Sequence, residues 1–240
     1  MKHIFHKDEW LSGQIGKSVY QLKANNMLEE SFLEDWEEFR REHIKENYFV
    51  FSKINTNSVN IFQCLEKANF KLVDTNLQFE LNDNKLSEKQ QNNDIEICFA
   101  EKKHQQALGK IAKDNFHYSR FHLDSLINND IANKIKQNWV KNYFFGKRGD
   151  EMVVALLQNK PVGFLQLIIK EKELTIDLIC VDRIAQGRGV ASSMIHFARR
   201  DIKQSFIKAG TQIGNLPAIN LYQKLGFVLT QSDYLFHYHS

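Results

Sequence analysis

At Val181-Asp182-Arg183-Ile184-Ala185-Gln186-Gly187-Arg188-Gly189-Val190-Ala191 an apolar, strand-like run (174–181) passes into a helix-like run that begins near Gly189. The junction reads Gln-x-x-Gly-x-Ala. Two glycines and an alanine leave little side chain there, so successive backbone N–H groups can come close to an anionic ligand. The start of the following helix adds donors with no intrahelical acceptor and a partial positive charge. Together these features suit a pyrophosphate, which names a ligand class before any catalytic group is considered.

Composition bounds the rest. The 240 residues suffice for one large or two small domains, and 42% hydrophobic with 25% charged residues is ordinary for a globular protein. A formal net charge of +3 is too small to argue for nucleic acid, and the short basic pair Arg199-Arg200 is followed at once by Asp201, as on a solvated helix face. Cys64, Cys98 and Cys180 are dispersed and odd in number, which argues against a disulfide framework or a zinc site and for a reducing compartment. The first residues lack the apolar core of a signal peptide, and no apolar run is long enough to span a membrane. The expectation is a cytoplasmic protein without membrane or nucleic-acid partners.

The organisation predicted from pattern is a mixed N-terminal region (1–81), a polar linker (82–94) and a larger C-terminal domain (95–240). In the first, 28–45 reads as a helix with Phe32, Trp36 and Phe39 at helical spacing, and 48–54 and 71–81 read as strands. After the linker come a strand (95–100), helices (105–116 and 131–143) and three strands (152–158, 162–170, 174–181), with Asn159-Lys160-Pro161 as a hairpin turn. The next helix sets Ala191, Met194, Ile195, Ala198 and Ile202 on one face. A strand (206–213) follows, and then a helix with Asn215 as cap, Pro217 in its first turn and Gly226 at its end. The chain also repeats itself: Leu65, Lys67, Phe70, Leu72 and Phe79 line up with Tyr222, Lys224, Phe227, Leu229 and Phe236 at one constant offset.

Two motifs carry a resemblance. Gln186 to Ala191 after a strand is similar to the Gln/Arg-x-x-Gly-x-Gly/Ala signature of the GCN5-related N-acetyltransferase (GNAT) superfamily. Asn215-x-x-Ala218-x-x-x-Tyr222-x-x-x-Gly226-Phe227 resembles the superfamily's second motif, Asn-x-x-Ala-x-x-x-Tyr-x-x-x-Gly-Phe. The resemblance implies an α/β (α+β) acyl-CoA N-acyltransferase fold, with a mixed, mostly antiparallel central sheet flanked by helices. It makes residues 1–81 a partial, degenerate copy of that fold. It implies acetyl-CoA as co-substrate, held by Gln186, Gly187, Arg188, Gly189, Val190 and Ala191 at the pyrophosphate. Ile179, Val181 and Asn215 would lie along the pantetheine. Within the superfamily, Ser119-Arg120-Phe121-His122-x-Asp124 and Trp139-x-x-Asn142 look like the dTDP-fucosamine N-acetyltransferases, which acetylate the 4-amine of a dTDP-linked 4-amino-4,6-dideoxy sugar. That implies a nucleotide-linked amino sugar of cell-surface polysaccharide synthesis as acceptor. A homodimer is compatible with the sequence.

Acetyl transfer to an amine needs a polarised thioester and a proton for the departing thiolate. Asn215, Ala218 and Tyr222 share one helical face, and the family assigns its tyrosine the role of general acid. Backbone N–H groups near Ile179 to Val181 would polarise the carbonyl. Asp177 is the only carboxylate within the central strand, and alternation sets it on the face of Ile179 and Val181; the expectation is that ordered water, rather than one side chain, takes the amine proton. Arg120 and His122 either contact the nucleotide sugar or are surface residues before a helix capped by Asp124 or Ser125. Trp139 is expected in the core rather than as a stacking platform. His237 and His239, two apart on a strand, can face one metal, though without a third ligand nearby none is expected. Cys180 lacks a histidine partner and reads as a small buried residue. The alternatives are acetylation of a protein, polyamine or aminoglycoside amine, or a CoA-binding regulatory module without turnover.

Overall fold

The computed structural model describes residues 4–24, 29–82, 94–202 and 204–240; the expected linker at 82–94 lies, apart from its two end residues, outside the described residues. In chain order the elements are β1 (Phe5–Lys7), α1 (Glu9–Ile15), β2 (Ser18–Leu22), α2 (Glu29–Glu42), β3 (Tyr48–Asn55), α3 (Val59–Lys67), β4 (Lys71–Asn82), β5 (Ile95–Phe99), α4 (Gln105–Asn115), α5 (Arg120–Leu123), α6 (Asn129–Phe144), β6 (Glu151–Leu157), β7 (Lys160–Lys170), β8 (Glu173–Val181), α7 (Val190–Asp201), β9 (Phe206–Gln212), α8 (Leu216–Lys224) and β10 (Val228–His239). They fall into two compact units, neither continuous in sequence. One comprises Met1–Leu77, Ser119–Ile131 and Gln231–Ser240; the other comprises Gln78–Tyr118 and Ala132–Thr230.

In the first unit β2 runs parallel to β3 and antiparallel to β1, while β3 pairs antiparallel with the C-terminal part of β10. Phe32, Trp36 and Phe39 of α2 are buried as their spacing predicts, against Tyr48, Val50, Ile54, Leu65 and Phe236. The sequence reading missed β1 and α1, which are too short to show a period. Local bonds hold α1 instead: Asp8 caps it by accepting from the Leu11 N–H at 2.8 Å, and Gly16 ends it at φ 83°.

In the second unit β5, β6, β7 and β8 form an antiparallel run, and β9 adds to β8 in parallel. Leu108, Ile111 and Ala112 of α4 and Val140 of α6 pack on Met152, Val154, Phe164, Leu178 and Cys180. Alternate strand residues such as Val153, Ala155 and Leu165 are buried too, so both faces of the sheet are covered. Helix α7 buries Val190, Met194, Ile195 and Ala198 and packs on β5 to β8. Ile202, expected in that stripe, instead falls at the cap just past the helix end. The β6–β7 turn is also shifted from the predicted Asn159-Lys160-Pro161. Leu157 pairs with Lys160, so the loop is Gln158-Asn159, both at positive φ (50° and 61°), the condition for a type I′ hairpin turn.

The internal repeat appears in the element boundaries. Helices α3 and α8, and strands β4 and β10, start and stop at one constant offset. Asn69 at φ 64° stands where Gly226 has φ 90°, so even the left-handed residue between helix and strand recurs. Leu65 and Tyr222 hold the same step of their helices, both buried.

Candidate functional site

The site grows from the way β8 parts from β9. Their parallel ladder joins Glu173, Leu174, Thr175 and Ile176 to Phe206, Ile207, Lys208 and Ala209, and stops there. Both strands continue, β8 through Asp177 to Val181 and β9 to Gln212. Past that fork the facing backbone groups are not used on each other, so an extended ligand carrying amides can bond to them. Ile179 and Val181 lie on this free stretch, half-buried. In the first unit all of β2 is paired with β3, so β2 has no stretch running past the ladder as Asp177 to Val181 do in β8.

Beyond Val181, Asp182 accepts from the Ile184 N–H at 3.1 Å and sets a short 3-10 turn at Arg183–Ala185. Gln186 donates from Nε2 to the Val181 carbonyl at 3.0 Å, which ties the loop to the strand end. Gly187 and Gly189 both sit at φ 74°, and nothing lies within 4 Å of where a Cβ would stand on either. The loop is thus left-handed where side chains are disfavoured and open on its outer side. Gln186, Gly187 and Arg188 are exposed, whereas Val190 is buried and anchors α7. Arg183, also exposed, adds positive charge beside the loop and bonds His117 at 3.1 Å.

Asn215 caps α8 through a 3.4 Å bond from the Ala218 N–H, and its Nδ2 donates to Thr211 Oγ1 on β9 at 3.0 Å. Tyr222, two turns on, is buried with its ring 5.6 Å from Phe79 and 5.3 Å from Phe227. Burial raises its phenol above the usual tyrosine range, so it keeps its proton at neutral pH. Cys180 is in the α4 core with its Sγ 4.0 Å from the Ile111 carbonyl, and burial pushes its thiol up to about 12. It is therefore protonated and inert near pH 7.

Asp177 departs from the strand pattern. Gln166 pairs with Leu178 and Leu167 with Ile176, which leaves Asp177 as the extra residue of a β-bulge. Its carboxylate meets Gln166, on the side of Leu178 and Cys180, and not the side that alternation predicts. Arg148 donates to it twice, Nε to Oδ2 at 2.7 Å and Nη2 to Oδ1 at 2.6 Å, and Gln166 Nε2 adds a bond to Oδ2 at 2.8 Å. Arg148 stacks on Trp139, with Cζ 4.5 Å from the ring centre. Sequence reading did not single out Arg148 or Gln166. Gln166 was nonetheless visible as the lone polar residue in the apolar run 162–169, a sign that it serves a buried polar partner.

The Ser119 to Asp124 segment lies in the first unit. Ser119 Oγ is 2.6 Å from His122 Nδ1. The Arg120 guanidinium lies over Phe51 (3.9 Å) and Phe121 (4.3 Å), and its Nη1 is 3.0 Å from His237 Nε2. Asp124 is the third group that the two strand histidines lacked in sequence: His237 Nδ1 and His239 Nε2 lie 2.6 and 2.7 Å from its Oδ2. A metal held there would need acceptors behind each imidazole. Those positions carry Arg120 and Lys17, the latter 3.0 Å from His239 Nδ1, and both only donate. The cluster is a hydrogen-bonded chain.

Among the described residues, no helix is long and apolar enough to cross a membrane. Residues 106–227 match the family model "Acetyltransferase (GNAT) family". The chain is 33% identical over 138 residues to the spore coat polysaccharide biosynthesis protein SpsD of Bacillus subtilis (strain 168), a match that covers 55% of this chain and 46% of that protein. The chain thus spans about half the length of that curated relative. In structure it resembles a GCN5-related N-acetyltransferase from Sphaerobacter thermophilus, with TM-score 0.65 and 13% identity over 94% of this chain and 73% of the other. A tandem GNAT protein from the clavulanic acid biosynthesis pathway aligns with TM-score 0.63 and 8% identity over 93% of this chain and 76% of the other. The mixed, mostly antiparallel sheet flanked by helices is the predicted fold class, and with the family model matching half of its residues the chain belongs to the acetyltransferase (GNAT) family.

Proposed function

We propose that the protein is an acetyl-CoA-dependent N-acetyltransferase that acts on the amine of a nucleotide-linked amino sugar in cell-surface polysaccharide synthesis. The observation that carries the reading is the fork between β8 and β9 opening directly into the Gln186–Ala191 loop. The fork offers backbone groups to the pantetheine at Ile179 and Val181, and Gln186, Gly187, Arg188, Gly189, Val190 and Ala191 receive the pyrophosphate. Asn215 caps the helix that carries Tyr222, which protonates the departing thiolate. Ordered water takes the amine proton, because both oxygens of Asp177 are already bound by Arg148. The likeness to a spore coat polysaccharide protein supports the acceptor class.

Residues 1–81 are, in this reading, a retired copy of the same fold. The matching boundaries of α3–β4 and α8–β10 support it, as do Leu65 in the place of Tyr222 and a β2 that ends where its ladder to β3 ends. Three free cysteines suit a cytoplasmic enzyme, and sedimentation tests the expected homodimer. The activity is tested by thiol release from acetyl-CoA over a panel of amines that includes dTDP-4-amino-4,6-dideoxyhexoses, polyamines and peptides. Sugar-dependent turnover is expected; tight acetyl-CoA binding with no turnover on any acceptor would leave a regulatory module instead.

A further inference from the structure

We propose that Arg148 is an oxyanion anchor for the acceptor, reading a phosphate or carboxylate on the molecule whose amine is acetylated. The proposal rests on the acetyltransferase reading for its acceptor, but its own evidence is the local build. Arg148 spends two of its five N–H groups on Asp177. Among the described residues the remaining three, on the edge turned away from Asp177, meet no acceptor, and the Arg148 side chain is 35% exposed while that of Asp177 is 8% exposed. A buried carboxylate therefore holds a half-exposed guanidinium by one edge and presents the other.

The neighbouring groups fix that presentation. Gln166, fully buried, orients Asp177 through its amide nitrogen at 2.8 Å, and its own Oε1 meets no donor. An unpaired buried acceptor is unfavourable, so the glutamine is placed for the carboxylate and not for its own satisfaction. Trp139 supports the flat face of Arg148 at 4.5 Å. Gly149, next in the chain at φ 83°, stands so close that a Cβ there would be 3.0 Å from Gln166 Cγ. Lys136 Nζ lies 4.4 Å from the Trp139 ring, so a second cation shares this aromatic support. The planar fork of an arginine suits two-point bonding of an oxyanion. The anchor sits at Asp177, the first β8 residue past the fork, where the acetyl end of the cofactor is expected.

A general base role for Asp177 fits less well, because Arg148 occupies both oxygens. A pair that merely braces the bulge would leave the outward edge of the guanidinium without a task, and the following test separates the two. Arg148→Gln is compared with wild type and with the charge-balanced double variant Arg148→Gln/Asp177→Asn, so that a buried unpaired carboxylate is not the cause of any loss. Two readouts are taken. One is kcat/KM for matched amines bearing a diphosphate, a carboxylate or neither. The other is dTDP affinity at saturating CoA, which keeps the nucleotide off the Gln186–Ala191 loop.

Both variants are expected to lose about tenfold or more on the anionic acceptors and in dTDP affinity. They should stay within twofold on the neutral amine and in CoA affinity. Equal losses on charged and neutral amines, or unchanged dTDP affinity in both variants with no selective loss on either anionic amine, overturn the anchor even if the enzyme acetylates sugars. Arg148-dependent dTDP binding without turnover keeps the anchor and removes the acetyltransferase reading. Selective loss on the carboxylate amine alone keeps the anchor and removes the nucleotide-sugar acceptor.

Discussion

His237 donates its Nδ1–H to Asp124, 2.6 Å away, because Arg120 at 3.0 Å from the other ring nitrogen can only donate. Lys17 donates to His239 Nδ1 in the same way, so both imidazoles turn an N–H to one carboxylate. Burial works to raise Asp124, yet the bonds from both histidines and from the Leu126 amide hold it well below the usual carboxylate range. Burial pushes His237 down to about 4 against the pull of Asp124. The native state therefore refuses a proton that the unfolded chain accepts near pH 6.5, and stability is whole above that pH and lost as pH falls toward 4. Full linkage is worth about 3 kcal/mol. Urea denaturation at stepped pH should show this loss in an Asp74→Asn background and not in Asp74→Asn/His237→Asn.

The background matters because Asp74 has the opposite sign. Burial raises its carboxyl to about 6, only Oδ1 is bonded, by the Thr75 amide, and Oδ2 has no partner. A raised carboxyl contributes stability below its unfolded pKa near 3.9 and loses it as pH rises through about 6. In the wild type this offsets part of the His237 slope over the same interval. Asp74→Asn is expected to stabilise the protein by about 2 kcal/mol at pH 7 and by little at pH 4. Equal effects at both pH values would show that desolvation of the ionised form is not the cause.

The contrast shows which features a sequence exposes. The strand, glycine loop and helix at 174–201 were legible because period, breaker and period follow one another within a few turns. The α2 stripe of Phe32, Trp36 and Phe39 was legible for the same reason. Asp124 was not visible as the partner of His237, since the two are far apart in sequence and no local pattern links them. The side taken by Asp177 was misread because a bulge adds one residue and breaks the alternation on which the reading depends. The role of Gly149 likewise depends on a contact with Gln166 on another strand.

Gly187 is a direct test of the loop. Its φ of 74° costs an L-residue about 1–2 kcal/mol, and a side chain there would project where the pyrophosphate is to lie. Gly187→Val is expected to weaken acetyl-CoA binding about tenfold or more, with a smaller change in KM for the amine. Titration calorimetry reads the first and steady-state kinetics the second. Unchanged acetyl-CoA affinity would remove the loop from the cofactor site.

Tyr222 offers the sharpest separation of packing from chemistry. Its ring is held by Phe79 and Phe227, contacts that phenylalanine would keep, and burial keeps its hydroxyl protonated at neutral pH. A phenol with a raised pKa is a weak acid, so its help is greatest where negative charge builds on sulfur as the C–S bond breaks. Tyr222→Phe should therefore fold with nearly wild-type stability and bind acetyl-CoA within a few-fold, while kcat falls about 100- to 10,000-fold. The loss should be smaller with a thioester whose thiol is more acidic, because a better leaving group needs less help from an acid. Thermal unfolding, acetyl-CoA titration and kcat on two thioesters make the comparison. A large drop in stability with kcat per folded molecule unchanged would assign Tyr222 to the core alone, alongside Leu65 at the same step of α3.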